Sequence, residues 1–111
     1  MAAELNLEAL RDEIDKIDEV IVRLLDSRAR CAYSVGRLKH ALGRPIYEPA
    51  REAAVIAHVR QVNEGLGGPL DGDAVARLYE RIMDEARRIQ RLEAERDALE
   101  THAKTDGEAG L

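Results

Sequence analysis

A continuous apolar stripe marks the first part of the chain as one long helix, from about Leu7 to about Leu42. The stripe residues recur at alternating intervals of four and three, which keeps them on one helical face. They are Leu10, Ile14, Ile17, Ile21, Leu24, Cys31, Val35, Leu38 and Leu42. A helix of this length spans about 50 Å, more than a small domain covers, so we expect a second chain alongside it.

The ends of this helix carry local signals. Asn6 is a suitable N-cap, because its side-chain oxygen accepts hydrogen bonds from the first free backbone N–H groups. Gly43 tolerates the left-handed conformation that commonly follows a helix. Arg44 precedes Pro45 and therefore avoids helical backbone, so the helix is predicted to end here.

Two shorter helical patterns follow. Pro49 suits the first turn of a second helix, which is predicted to stop at Gly65. Its stripe is Ala53, Ile56, Val59 and Val62. Asp71 or Asp73 then caps a third helix, with a predicted stripe of Val75, Leu78, Ile82, Ala86, Ile89 and Leu92. The prediction is an all-α domain of three helices over residues 1–100, followed by a disordered tail at 101–111.

Composition narrows the classes of function. The 111 residues include no Phe or Trp, and the formal net charge is −5, so a broad nucleic-acid-binding surface is not expected. Cys31 is the only cysteine, which excludes an intrachain disulfide, and with the three histidines it forms no metal-ligand pattern. The sequence has no signal peptide and no apolar run of membrane-spanning length, so we expect a cytoplasmic protein without a membrane partner.

Arg28 interrupts the apolar stripe between Leu24 and Cys31. An unpaired guanidinium in a core costs several kcal/mol, so an anion must meet it. That anion is either a carboxylate of a partner helix (Glu13, Asp15 or Asp18) or a ligand. Lys39 lies eleven residues later and points nearly the same way, about 16 Å along the axis. The two cations could hold a doubly charged anion, although Lys39 taken alone is better explained as an edge lysine that reaches to water.

Further polar residues have two interpretations each. Arg11 lies about 25 Å along the helix from Arg28, so it joins the same site only from a second subunit; otherwise it is an ordinary solvated arginine. The adjacent Arg51 and Glu52 point about 100° apart and by default are surface charges. Gln90 lies beside the third stripe as a neutral hydrogen-bond donor. The nearby charged residues are predicted to form a solvated face; they are Arg87, Arg88, Arg91, Glu93, Glu95 and Arg96.

Taken in order, these positions resemble the all-helical class of chorismate mutase. The resemblance covers about Leu7 to Leu92. The matching positions are Leu10-Arg11, Ile14-Asp15-Lys16-Ile17-Asp18, Arg28, Val35-Gly36, Lys39, Arg44-Pro45, Arg51-Glu52 and Gln90. It implies an intertwined homodimer of three-helix chains, with two active sites each built from both subunits. It also implies the Claisen rearrangement of chorismate to prephenate, on the route to phenylalanine and tyrosine, without a metal or cofactor.

The resemblance assigns a role to each matching polar residue. Lys39 and Gln90 are expected to donate hydrogen bonds to the ether oxygen of the substrate, where negative charge gathers as the C–O bond breaks. Arg28, with Arg11 of the other subunit, is expected to bind the two carboxylates. The remaining expected contacts are Arg51 at the carboxylate end, Glu52 as acceptor from the ring hydroxyl, Glu48 near that hydroxyl, and Val35 and Ala32 as apolar walls.

Two positions depart from the family pattern. Ala86 stands where relatives often have a serine that contacts a carboxylate, and its loss is expected to weaken binding by about 1 kcal/mol. Glu48 stands where the family often has Asp, a mild change. Two other functions remain open from the sequence. One is isochorismate–pyruvate lyase, which shares the fold, and the other is a silent helical partner that regulates another shikimate-pathway enzyme.

Overall fold

Three helices account for nearly all of the chain in the computed structural model, which describes the backbone of residues 6–109 and the side chains of residues 6–101. They are α1 (Leu7–Leu42), α2 (Pro49–Leu66) and α3 (Gly72–Ala109). No strand occurs between residues 6 and 109, so the all-α prediction with three helices is confirmed. Over the same residues, no helix is both long and apolar enough to cross a bilayer.

The caps of α1 follow the sequence signals. Asn6 Oδ1 accepts hydrogen bonds from the backbone N–H groups of Glu8 and Ala9, at 2.8 and 3.3 Å. At the other end Gly43 has a φ of 67°. The N–H groups of Gly43 and Arg44 donate to the carbonyls of His40 and Lys39, which closes the helix with a Schellman motif. The predicted start and end of α1 are therefore confirmed.

The second helix ends one residue later than predicted. Gly65 lies inside α2, which continues to Leu66, and the left-handed residue is Gly67, with a φ of 62°. Asp71 caps α3 by accepting from the backbone N–H of Ala74 at 2.7 Å. Asp73, the other candidate cap, instead forms an ion pair with Arg60 of α2 at 2.9 Å. This ion pair fastens the start of α3 to α2.

The chain divides after Cys31 into two compact units. In the first unit α1 presents its apolar stripe to solvent. Its large apolar side chains are between 41% and 64% exposed, and they include Leu10, Ile14, Ile17, Ile21 and Leu24. The first part of α1 therefore has the apolar face that is typical of a packed helix. The described residues of the first unit do not bury this face.

The second unit holds the buried residues. Apolar burial is concentrated at Ala32, Val75, Ala76 and Met83, and the polar residues Gln90 and Glu93 are buried with them. The predicted α3 stripe is confirmed at Val75, which is buried, and wrong at Leu78 and Leu92, which are exposed. Its other members, Ile82, Ala86 and Ile89, are half-buried. The buried side is marked by Ala76, Met83 and Gln90, which recur every seven residues. The stripe of larger residues lies on an adjacent side of the helix.

The far end of α3 extends beyond the predicted domain. The backbone from Thr101 to Ala109 is helical, whereas the sequence predicts a disordered tail in this range. Gly110 and Leu111 lie outside the described residues. The division into a domain at 1–100 and a tail at 101–111 stays a prediction.

Candidate active site

Lys39 is the centre of a polar cluster in the second unit. Its side chain is 14% exposed, and its ammonium group has three acceptors. Lys39 Nζ donates to the carbonyl oxygen of Ile46 at 2.7 Å and to Gln90 Oε1 at 3.3 Å, and it lies 3.4 Å from Glu48 Oε1. Two of these contacts are hydrogen bonds, and the third, to Glu48, is an ion pair. The Lys39 ammonium is therefore fixed by contacts with other protein groups. The interpretation of Lys39 as an edge lysine that reaches to water is wrong.

The link between α1 and α2 supplies two of these acceptors. Residues 43–48 stay non-helical, because Gly43 ends α1 and Pro49 begins α2. The backbone of Ile46 and the side chain of Glu48 therefore face the last turn of α1, where Lys39 lies. Glu48 was among the predicted site residues, whereas Ile46 was not. A backbone carbonyl carries no residue-type signal, so nothing in the sequence pointed to it.

Gln90 comes from α3 and is held close to α1 by a glycine. Its side chain is buried. A Cβ added to Gly36 would lie 2.8 Å from Gln90 Cγ and 3.2 Å from Gln90 Cα, closer than ordinary side chains pack. Glycine at position 36 thus lets Gln90 lie directly against α1, where its amide oxygen meets the Lys39 ammonium. The amide NH₂ group of Gln90 keeps two N–H donors for a ligand.

Glu52 and Arg87 form a second polar group beside the first. Arg87 Nη1 donates to Glu52 Oε1, and Arg87 Nη2 donates to Asp84 Oδ1 on its own helix. The Arg87 guanidinium also lies over the ring of Tyr47, 5.4 Å from its centroid, within cation–π range. The hydrogen bond to Glu52 raises the pKa of Arg87 above its ordinary value. The group is therefore a permanent cation paired with a carboxylate.

This arrangement suits electrostatic work on an anion. An ammonium and a primary amide are neighbours here, so an oxygen atom that gains negative charge could receive a hydrogen bond from Lys39 and one from the NH₂ group of Gln90. Because the donors are fixed by neighbouring backbone and side chains, little reorganisation is needed when charge develops. Among the described residues, no group of three or more His, Cys, Asp or Glu is placed to hold a metal ion.

The remaining predicted site residues lie outside these contacts. Arg11 is exposed in the first unit and pairs with Glu8 at 3.5 Å, as a solvated arginine would. Arg28 belongs to the same unit and is half-buried, with an interaction of its own. In the second unit Arg51 is exposed and Ala86 is half-buried, one turn before Gln90. The two expected wall residues differ, since Ala32 is buried and Val35 is exposed.

The predicted solvated face of α3 is wrong at two positions. Arg87 is 24% exposed and contacts Glu52 of α2, and Glu93 is buried with Arg37 of α1 3.5 Å away. Arg88 is solvated as expected, at 64% exposure. The sequence feature that could have identified Arg87 and Glu93 as shielded residues is the seven-residue spacing of Ala76, Met83 and Gln90. Arg87 and Glu93 lie three residues to either side of Gln90 and so share its side of the helix.

Comparison with known proteins identifies a family whose model matches most of this chain. Residues 10–91 match the family model of chorismate mutase type II. The bifunctional chorismate mutase/prephenate dehydratase of Pseudomonas aeruginosa is 47% identical over 88 residues, which cover 75% of this chain and 23% of that protein. The T-protein of Enterobacter agglomerans is 41% identical over 86 residues, covering 78% and 22%. The chain thus spans less than a quarter of these curated relatives.

A solved structure matches most of both chains. The structure of chorismate mutase (Form II) from Thermus thermophilus superposes with a TM-score of 0.72 at 32% identity, covering 77% of this chain and 93% of that one. A second structure of the same protein, Form I, gives a TM-score of 0.67 at 34% identity. The family match covers most of the chain and includes Arg11, Arg28, Lys39 and Gln90. This chain belongs to the chorismate mutase type II family, a family of isomerases.

Proposed function

We propose that this chain catalyses the Claisen rearrangement of chorismate to prephenate. The observation that carries the proposal is the contact between Lys39 Nζ and Gln90 Oε1, at 3.3 Å, in a chain whose residues 10–91 match the family. The rearrangement is pericyclic and needs no nucleophile. It needs a compact substrate conformation and hydrogen-bond donors at the ether oxygen, where charge builds up.

The distances within the cluster suggest how the donors are released to the substrate. The Lys39 contact with Ile46 is short, at 2.7 Å, whereas the contacts with Gln90 and Glu48 are 3.3 and 3.4 Å. The ether oxygen would compete with the two longer contacts, while the Ile46 carbonyl keeps the ammonium in place. Gln90 would add one amide N–H. Lys39 therefore stays anchored to Ile46 while both donors turn toward the reacting oxygen.

Cationic side chains are proposed to bind the two carboxylates of chorismate. Arg28 and Arg11 of the partner subunit would each meet a carboxylate, since a guanidinium offers two parallel N–H donors. Arg51 would assist at the same end. Glu52 would accept a hydrogen bond from the ring hydroxyl, with Glu48 near that hydroxyl. Ala86 would lie against a carboxylate without contributing a hydrogen bond.

The active form is proposed to be an intertwined homodimer. The support is the apolar stripe of the first unit, which is about half exposed along its whole length. Monomeric proteins rarely expose a continuous apolar surface of this extent. A second copy would cover it and bring Arg11 to the site. The names of bifunctional relatives pair chorismate mutase with prephenate dehydratase, which supports prephenate as the product.

The test is a chorismate assay with one matched pair of variants. Wild-type protein is expected to accelerate the loss of the diene absorbance of chorismate. Lys39→Ala is expected to lower kcat by about a hundredfold or more, because it removes the charged donor. Arg81→Ala, which removes a cation that is 75% exposed, should keep wild-type turnover.

Two results would contradict the proposal. One is a wild-type protein that leaves chorismate unchanged, and the other is a Lys39→Ala variant with wild-type kcat/KM. Pyruvate release from isochorismate would favour the lyase activity of the same fold. Activity that appears only when another shikimate-pathway enzyme is added would favour the regulatory function.

A further inference from the structure

We propose that Arg87 is a positioning residue that fixes the Glu52 carboxylate for the substrate hydroxyl. The inference rests on the proposed function, in which Glu52 accepts that hydrogen bond. Arg87 Nη1 donates to Oε1 of Glu52 and leaves both lone pairs of the other carboxylate oxygen, Oε2, to receive the hydroxyl. One of two equivalent oxygens is thereby favoured, and the rotation of the carboxylate is fixed.

The two neighbouring arginines of α3 show that this contact is specific. Arg87 is 24% exposed and reaches across to α2, whereas Arg88 is 64% exposed and pairs with Glu85 of its own helix, at 3.8 Å. An exposed pair of the second kind contributes little. Arg87 and Glu52 are both about three-quarters shielded from solvent, so water screens their interaction less.

Arg87 also connects Glu52 to the segment that holds Lys39. The same guanidinium touches α3 through Asp84, α2 through Glu52, and the link through the ring of Tyr47. Tyr47 lies between Ile46 and Glu48, the two link residues that contact the Lys39 ammonium. One planar group with several N–H donors is suited to such a junction, whereas a lysine offers a single point charge.

The charge of Arg87 has a second consequence. Chorismate carries two negative charges, and an unneutralised Glu52 carboxylate at the site would repel it. Arg87 offsets that charge without occupying the whole carboxylate. Loss of Arg87 would therefore free the Glu52 side chain to rotate and would leave its charge facing the dianion. Both effects act through Glu52, which makes the proposal testable in a Glu52 variant.

The experiment compares Arg87→Met with Arg88→Met, because methionine keeps the length and helix preference of arginine without its charge. Arg87→Met is expected to lower kcat/KM for chorismate about tenfold, less than the hundredfold cost of misplacing a reacting group by 1 Å. Arg88→Met should leave kcat/KM unchanged. In a Glu52→Gln background, adding Arg87→Met should change kcat/KM by less than about twofold, since the group it positions is already altered.

The result that overturns the proposal is an equal loss in both backgrounds, which would mean that Arg87 only supports the fold. An Arg87→Met variant with wild-type kcat/KM would overturn it as well. Arg87→Lys should recover part of the activity, because the lysine reaches Glu52 but not Asp84 at the same time.

A readout without turnover separates this proposal from the proposed function. A crystal structure of the wild-type protein should show Glu52 in one rotamer. A crystal structure of Arg87→Met should show Glu52 in several rotamers. If the wild-type protein does not convert chorismate, the proposed function fails, and the Glu52 rotamers still decide the positioning role. An unchanged Glu52 rotamer in Arg87→Met contradicts that role.

Discussion

The two units of the chain use their side chains in opposite ways. In the unit that ends at Cys31, ion pairs form between neighbours on α1, such as Glu8 with Arg11 and Asp26 with Arg30. From Ala32 onward, ion pairs within one helix also occur, but several polar contacts join different helices. Lys39 meets Gln90, Arg87 meets Glu52, and His40 meets Asp97 at 2.9 Å. The second unit therefore fixes its own polar groups.

The two parts of α1 therefore differ in the kind of packing that their residues favour. The first part of α1 has a regular apolar stripe that the described residues leave largely exposed. The last part of α1 contains a buried glycine and a held lysine, which specify a close approach within the chain. A single helix thus carries an exposed apolar stripe over its first turns and forms one side of a polar cluster over its last turns.

The largest expected effect comes from mixing variants of the two units. Arg11→Ala and Lys39→Ala are each expected to be nearly inactive alone. If the partner supplies Arg11, a mixed dimer has one site with both residues intact and one site with neither. Co-refolding equal amounts makes about half of the dimers mixed, so about a quarter of wild-type activity should return. Chorismate turnover of the mixture, with the dimer verified by light scattering, measures this.

The matched control uses two residues of the same unit. Lys39 and Gln90 contact each other within one chain, so a mixture of Lys39→Ala with Gln90→Ala creates no intact site. Its activity should not exceed that of the separate variants. Equal recovery in both mixtures, or in neither, would contradict the shared site.

The next expected effect concerns the contact between α1 and Gln90. Gly36→Ala places a methyl group 2.8 Å from Gln90 Cγ, so Gln90 must move or the helices must separate. We expect kcat to fall about tenfold, because Gln90 no longer aligns with Lys39. We also expect a loss of about 1–2 kcal/mol in the free energy of unfolding from overpacking, although alanine is favoured over glycine in a helix.

Gly65→Ala is the matched control for this change. Gly65 also lies inside a helix, but a Cβ there has no atom within 4 Å. This variant should gain about 0.5–1 kcal/mol from helix propensity alone and keep full activity. Urea denaturation and chorismate kinetics measure both variants. If Gly36→Ala were as stable and as active as Gly65→Ala, glycine would not be needed for the approach of Gln90.

Local chemistry explains which parts of the molecule the sequence predicted. Asn6, Gly43 and Pro49 act on their own backbone neighbours, so both ends of α1 and the start of α2 were predicted correctly. Lys39 was singled out by its spacing from Arg28 and Gln90 by its place beside the third stripe, and the family resemblance gave them a common role. Their contact depends on the packing of α1 against α3, which spacing along the chain does not encode.

The errors share one physical cause. The large residues of α3, such as Leu78 and Leu92, were taken as the buried side, but the closest packing uses the small Ala76 and the flexible Met83. Shifting the buried side in this way brings Arg87 and Glu93 out of solvent. A large apolar side chain is expected to be buried. Its size does not tell whether a neighbouring helix of the same chain or a second chain would cover it.

The smallest expected effect is a gain at Ala86, the position where the family often has serine. Ala86→Ser adds a hydroxyl beside the proposed carboxylate site, on the half-buried side of α3 one turn before Gln90. One neutral hydrogen bond contributes about 1 kcal/mol, so KM for chorismate should fall about fivefold with kcat little changed. Ala94→Ser, half-buried on the same helix, is the control for the effect of serine on helix stability. An unchanged KM would mean that the hydroxyl bonds back to the helix instead, and that Ala86 does not face the substrate.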